Sequence, residues 1–332
     1  MRLRDTSEAE FLRTVQHALG GAGGCVRLGI GDDAAIIDCP PGRSLVLTCD
    51  ATVEGRHFRR EWFSHYEVGE RAVRCALSDL AAMGAEPAAV LLTLIISPDE
   101  DADMARALVE GAAHASETFG ARLAGGETVG RDGPVVLDVI AVGFAEPGRE
   151  LRRSGARPGD VVMVSGALGD AAAGLAALGS GVTGAEAAVA RYKRPDPRVA
   201  LGRFLARSEG VHAAIDISDG LVRDAGHLAE ESGVAIVLRA SALPLAAECK
   251  ALADRLGLDP LRWALTGGED FELLFCVEAE AAGQIARRAE DELALPVTAI
   301  GEVTDGQGVR VLQPDGTDLA LGETGWDQFR SV

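Results

Sequence analysis

The sequence predicts an α/β or α+β protein of two domains, on three observations. Its 332 residues exceed what one typical core accommodates. Hydrophobic residues make up 47% of the chain, enough to fill two cores. Short β-like runs alternate with helical periodicity along its whole length. In chain order, residues 44–48 and 135–144 read as strands. Between them, 67–83 carries Val73, Ala76, Leu77 and Leu80 at helical spacing and closes before Gly84. Ser97-Pro98-Asp99-Glu100 reads as a capping box opening a helix that Gly120 ends. Pro147-Gly148 and Pro158-Gly159 punctuate the middle, after which 161–164 returns to strand. The expected domains are therefore 1–147 and 148–332, with a further helix at 220–231.

Charge narrows the partners. With 32 basic and 51 acidic residues the chain carries a formal charge of −19. Such a surface repels nucleic-acid phosphates and anionic lipid, both of which bind through basic patches. The chain is expected to bind neither nucleic acid nor membrane. The longest apolar stretch, 88–96, is about half a membrane span, and the first residues hold no signal-like apolar run. Six cysteines without CxxC spacing read as reduced thiols, so a cytoplasmic location is expected. Only Lys193 and Lys250 are lysines, and GxxxxGK[ST] does not occur, which excludes a Walker-type phosphate loop.

Acidic residues recur beside glycine at turn-like places: Gly29-Ile-Gly-Asp-Asp33, Thr48-Cys-Asp50, Ser78-Asp79, Gly125-Gly-Glu127, Asp216-Ile-Ser-Asp219 and Gly267-Gly-Glu-Asp270. Glycine admits close backbone approach, and carboxylates supply the hard oxygens that Mg²⁺ prefers. Each motif alone is ordinary turn chemistry. Asp216 and Asp219 could cap the helix at 220–231, and Asp79 could face solvent from its helix. A dinucleotide loop at Gly29 is disfavoured, because Asp32 and Asp33 would oppose a pyrophosphate. Taken together, six such motifs suggest one shared polyanion site. Two pairs also echo each other. Ser78-Asp79 stands 47 residues before Gly125-Gly126, as Ser218-Asp219 stands 49 before Gly267-Gly268, although motifs so short recur by chance.

Longer blocks are more specific. Gly29-Ile-Gly-Asp-Asp-Ala-Ala35, Cys49-Asp-Ala-Thr-Val-Glu-Gly-Arg-His-Phe58 and Ala76-Leu-Ser-Asp-Leu-Ala-Ala-Met-Gly-Ala85 come first. Then follow Val164-Ser-Gly-Ala-Leu-Gly-Asp170, Ile215-Asp-Ile-Ser-Asp-Gly-Leu221, Gly267-Gly-Glu-Asp-Phe-Glu-Leu273 and Gly325-Trp-Asp-Gln-Phe329. Over about 10–329 the chain resembles the thiamine-monophosphate kinase family of the aminoimidazole-ribonucleotide-synthetase-like superfamily. The resemblance implies a two-domain synthetase-like fold, with an N-terminal domain forming a homodimer and a C-terminal domain closing over the nucleotide. It implies direct transfer of a phosphoryl group from ATP to thiamine monophosphate on several Mg²⁺ ions. Carried over, metal ligation falls to Asp32, Asp33, Thr48, Cys49, Asp50, Asp79, Glu127, Asp216 and Asp219. ATP contacts fall to Gly126, Glu127, Arg153 and Ser218, and substrate contacts to His57, Glu269 and Trp326.

That chemistry agrees with the residues. The acceptor phosphate, with a second pKa of about 6, is already a nucleophile, so no general base is required. Two departures stand out. Glu127 occupies a position where the family usually has Asp, and Cys49 replaces a Thr or Ser; a soft thiol is a poor Mg²⁺ ligand. Two other readings are an ATP-using relative within the same superfamily and a catalytically silent ATP/Mg²⁺ sensor.

Overall fold

The computed structural model describes residues 2, 8–19, 23–28, 34–322, 325 and 326. The chain divides into two compact units, Met1–Leu80 with Ala85–Gly148, and Ala81–Gly84 with Arg149–Val332. Each combines helices with a sheet, as the α/β or α+β expectation holds.

The first unit runs α1 (Glu8–Leu19), β1 (Val26–Leu28), β2 (Ile36–Ile37), β3 (Ser44–Val53), α2 (His65–Ala82), β4 (Glu86–Ile96), α3 (Ala102–Thr118), β5 (Arg122–Gly130) and β6 (Val136–Ala145). Its main sheet has the order β3-β6-β4-β5, antiparallel except for the β4–β5 pair. One face is closed by α2, whose Val73, Ala76, Leu77 and Leu80 are fully buried. The opposite face is open at its edges: Leu45 and Leu47 on β3 are 55% and 60% exposed. Where the hairpin β1–β2 covers it, Val26 packs on Ala89, Ala124 and Val142.

Two helix starts differ in an instructive way. Ser64 and Glu67 form a reciprocal capping box at α2, with Ser64 N donating to Glu67 Oε2 at 2.7 Å and Glu67 N to Ser64 Oγ at 3.3 Å. The box expected at Ser97 does not form. There Glu100 turns to Arg60 at 2.6 Å, and α3 starts four residues later, capped by Asp101 accepting from Asp103 N at 3.0 Å. A better electrostatic partner drew Glu100 away from the backbone.

Helices α2 and α3 cross closely. A Cβ on Gly69 would lie 1.9 Å from Leu108 O, and one on Gly111 2.0 Å from Tyr66 O. The obstacle in each case is backbone, which cannot rotate aside. Gly111→Ala is expected to force the helices apart and cost about 1–3 kcal/mol. Thermal denaturation checks this, and an unchanged melting temperature would show that the crossing tolerates a methyl group.

The second unit contains β7 (Val161–Ser165), α4 (Asp170–Ser180), α5 (Glu186–Lys193), α6 (Val199–Ala206), β8 (Val211–Asp216), α7 (Leu221–Ser232), β9 (Ala235–Arg239), α8 (Ala247–Leu256), α9 (Pro260–Thr266), β10 (Leu273–Val277), α10 (Ala279–Leu293), β11 (Val297–Thr304) and β12 (Gly308–Leu312). Six strands form one sheet in the order β12-β9-β11-β7-β10-β8, with only β12–β9 parallel. Its core joins Val162, Val164, Ile215, Leu274 and Ile236 to Leu221, Ala225 and Leu228 of α7.

The echo between the halves has no local counterpart. Ser78-Asp79-Leu80 lies within α2, whereas Ser218-Asp219-Gly220 is the turn before α7. Gly125-Gly126-Glu127 lies on β5, whereas Gly267-Gly268-Glu269 is a loop before β10. The similarity is one of composition. Among the described residues, no helix is long and apolar enough to cross a membrane.

Candidate active site

In the first unit, pleating decides which expected ligands meet. Alternate residues of β3 point to opposite sheet faces. Thr48 and Asp50 face α2, where the Thr48 hydroxyl donates to Asp79 Oδ2 at 2.5 Å. Burial raises the Asp50 carboxyl to about 7, helped by the charge of Asp79 and opposed by Arg71. Arg71 is 1% exposed, a buried cation among these carboxylates that sequence reasoning missed. Asp79 therefore does not serve a solvated helix face. It stands with Thr48 and Asp50 in an oxygen-only donor set.

Cys49 is a correction. It points to the other face of the sheet, where its Sγ lies 3.2 Å from Asp138 Oδ1. The thiol is thus separated from Thr48, Asp50 and Asp79. Period-two alternation carried that signal in the sequence. Glu127 also lies away from that trio. It is exposed on β5, opposite Thr93 and, through it, Asp138, and its Oε1 accepts from Thr128 N at 2.9 Å. Its neighbour Gly126 accepts no side chain, because a Cβ there would lie 1.8 Å from Leu92 O. Asp32 and Asp33 lie outside the described residues.

His57 closes the turn after β3. Its Nδ1 accepts from Val53 N at 3.0 Å, and its own amide donates to Val53 O at 2.8 Å. An Nδ1 that accepts must be unprotonated, so the neutral ring carries its proton on Nε2 and presents a donor there. Arg60 supports this turn by binding Glu54 at 2.5 and 2.9 Å, and Glu54 Oε2 accepts from Val135 N at 2.9 Å.

In the second unit, three segments meet. Glu269 N donates to Ser218 O at 2.8 Å, Phe271 N to Ile217 O at 2.9 Å, and Trp326 N to Asp219 O at 2.9 Å. Ser218, Asp219, Glu269 and Trp326 are thereby gathered into one loop cluster, with Asp216, buried, at the end of β8 just before it. Glu269 and Phe271 hold left-handed backbone, φ +60° and +50°, on either side of buried Asp270. Such conformations cost free energy and persist where surrounding contacts fix them. Asp270 supplies part of that fixation. It accepts from Gly169 N at 2.9 Å and Ala171 N at 3.2 Å, capping α4 from a distant segment. Arg153 is exposed, with its carbonyl held by Ser232 Oγ at 2.9 Å.

Asp216 and Asp219 do not cap α7. The helix begins at Gly220 without a side-chain cap, and Asp224 reaches back instead. Asp224 Oδ2 accepts from Ser218 N, Asp219 N and Gly220 N at 3.1, 3.1 and 3.0 Å. Burial, with Asp216 and Asp219 nearby, raises Asp224 well above the usual carboxylate range. Asp219, Asp224 and His227 present ligand atoms within 4.8 Å of one another. Asp224 reaches back only four to six residues, but it lies beyond the Asp216–Asp219 motif and on a helix, where it reads as a solvated side chain.

Family comparisons fit this arrangement. The AIR synthase related protein models match over both halves, the N-terminal domain at 31–145 and the C-terminal domain at 157–313. The fold and these two matches define an AIR synthase-related protein. A thiamine-monophosphate kinase from Escherichia coli K12 is 36% identical over 311 residues, covering 92% of each chain. The crystal structure of thiamine-monophosphate kinase from Stenotrophomonas maltophilia superposes with a TM-score of 0.81 at 36% identity, covering 95% of this chain and 98% of that one. AaThiL complexed with AMPPCP and TMP gives a TM-score of 0.77 at 33% identity and 99% coverage of both. The chain belongs to the thiamine-monophosphate kinase family.

Proposed function

We propose that the chain transfers the terminal phosphoryl group of ATP to thiamine monophosphate in line, forming ADP and thiamine diphosphate on a Mg²⁺ cluster in the cytosol. The observation that carries this reading is the Thr48–Asp50–Asp79 group, a half-buried set of hard oxygens in which Arg71 offsets only part of the carboxylate repulsion. The family and the complex of AaThiL with AMPPCP and TMP support the two substrates. Six free cysteines support a reducing compartment.

The residues fit Mg²⁺ because the donors are carboxylate and hydroxyl oxygens, while the soft Cys49 thiol lies on the opposite face of the sheet. Asp50, Asp79 and Thr48 would hold Mg²⁺ in the first unit, with Asp32 and Asp33 added from the family pattern, and Asp216 and Asp219 would be the Mg²⁺ ligands of the second. When bound, Mg²⁺ offsets the charge of a polyphosphate meeting an anionic acceptor. Gly126 lets backbone come close to a phosphate, Arg153 offers a forked donor, and Ser218 offers its hydroxyl. His57 would donate from Nε2 to an acceptor atom of the substrate; in the second unit Glu269 would offer a carboxylate and Trp326 an aromatic face. Glu127 would act through water or a shifted backbone. No residue is needed as general base, since the acceptor phosphate is itself the nucleophile.

A homodimer is part of the proposal. The open sheet face, with Leu45, Leu47 and Val129 exposed by 55%, 60% and 40%, supports a second copy as its cover.

The test is formation of thiamine diphosphate from ATP and thiamine monophosphate with Mg²⁺ titrated. Turnover that needs Mg²⁺ in excess of ATP supports the reading. Folded protein that binds ATP yet makes no product sinks it.

A further inference from the structure

We propose that Ser232 is a positioning residue for the nucleotide site: its hydroxyl fixes the 153–156 segment and so sets Arg153 to receive ATP. The inference rests on the reading above, in which Arg153 contacts ATP. The Arg153 side chain is exposed and forms no hydrogen bond or ion pair with another described residue. What the fold holds is the backbone around it. Arg152 O accepts from Ala214 N of β8 at 2.8 Å. Ser232, the last residue of α7, donates from Oγ to Arg153 O at 2.9 Å and accepts from Ala156 N at 3.2 Å. A serine hydroxyl has one proton to give and lone pairs to receive, so a single group makes both bonds. Between them Gly155 holds φ +120° and lies so close to β8 that a Cβ would stand 2.6 Å from His212 O.

Past Ala156 the chain is anchored independently. Arg157 N donates to Asp160 Oδ2 at 2.8 Å, and His212 Nδ1 lies 2.9 Å from both oxygens of Asp160. Among the described residues, Ser232 alone hydrogen-bonds 153–156. Without its hydroxyl those four residues are tied only at their ends, at Arg152 and Arg157. Ordering such a stretch when a ligand arrives costs conformational entropy, and a segment already held in place avoids that cost. Helix α7 also starts directly after the turn that carries Ser218. One helix thus frames both residues assigned to ATP in this unit, Ser218 ahead of its first turn and Arg153 against its last residue.

The experiment measures ATP binding to the full chain by calorimetry with Mg²⁺ present, together with the KM values for ATP and thiamine monophosphate in turnover. Ser232→Ala, Ser232→Thr, Arg153→Ala and the double variant Ser232→Ala with Arg153→Ala are compared with the wild type. Ser232→Ala is expected to weaken ATP binding and raise the KM for ATP roughly fivefold, with kcat and the KM for thiamine monophosphate near their wild-type values. Ser232→Thr keeps the hydroxyl and is expected to restore the KM for ATP. In the double variant the serine change should add nothing to the loss from Arg153→Ala, because it acts through that residue. Wild-type ATP binding by Ser232→Ala overturns the inference. So does a loss shared equally by both substrates, or one that persists in full on top of Arg153→Ala, since either marks a structural role. An Arg153→Ala variant with wild-type ATP binding overturns both the inference and the ATP reading of Arg153. Wild-type protein that binds ATP without turnover removes the functional reading alone, and the ATP titration still decides Ser232.

Discussion

Asp50→Asn is expected to lower turnover by roughly 10²–10³-fold while making the metal-free protein more stable at pH 8. The two effects share one cause. Burial and the neighbouring charge of Asp79 raise the Asp50 carboxyl from 3.8 to about 7. The fold therefore binds a proton more tightly than the unfolded chain does. Stability from this group is present below about pH 4, declines as pH rises toward 7, and stays low above it. Each pKa unit corresponds to about 1.4 kcal/mol. Asp50 retains some solvent contact, so on the order of 1–3 kcal/mol is the expected recovery in the Asn variant at pH 8. Urea denaturation at pH 5 and pH 8, without divalent metal, measures it: the wild type should lose stability between the two and the variant should lose less. Mg²⁺ should narrow the difference at pH 8 by stabilising the ionised wild type. Near-normal turnover in the variant would remove Asp50 from the site, and no stability gain at pH 8 would contradict its burial as a charged group.

Much of this was readable before any coordinates. Helical spacing placed a helix at 67–83, and α2 spans His65–Ala82, with the four stripe residues fully buried. The Gly-Asp motifs supplied Asp50, Asp79, Asp216 and Asp219. What escaped reading depends on long-range pairing. Ser97 offered the same local signal as Ser64, yet Glu100 found Arg60, forty residues away in sequence, while Glu67 found only its own turn. Cys49 was legible in principle, because a strand through Thr48 and Asp50 must turn the intervening residue to the other face. Arg71 and Asp224 were not legible. An arginine or aspartate on an amphipathic helix reads as solvated until the fold shows what it is buried against. The positive-φ pair Glu269 and Phe271 belongs to the same class, since neither residue type favours that conformation.

Glu272 carries the largest expected stability effect. Its carboxylate is wholly buried and receives four donors. Arg198 binds it with Nε at 2.7 Å and Nη2 at 2.5 Å, Arg191 Nη2 at 2.7 Å, and Ser165 Oγ at 2.5 Å. Ser165 in turn accepts from Leu273 N at 2.9 Å, tying the group to the first residue of β10. Arginine is suited to this place because its planar fork serves two oxygens at once, which an ammonium cannot. Glu272→Ala removes the shared anion, leaving Arg198, mostly buried, with only Asp196 at 2.8 Å as counter-charge and Arg191 without its carboxylate. The expected cost is about 3–5 kcal/mol, a large part of the stability of a typical domain. Arg191→Ala should cost much less, because Arg191 is the more exposed of the two arginines and Arg198 still holds the carboxylate. Adding Arg191→Ala to Glu272→Ala should recover part of the loss, since it removes the cation that lost its carboxylate and its repulsion of Arg198. Urea denaturation of the three variants and the wild type gives that comparison. A Glu272→Ala cost below about 1 kcal/mol, or a double variant worse than the sum of its parts, would mean that the cluster is solvated and does not hold the 267–272 loop.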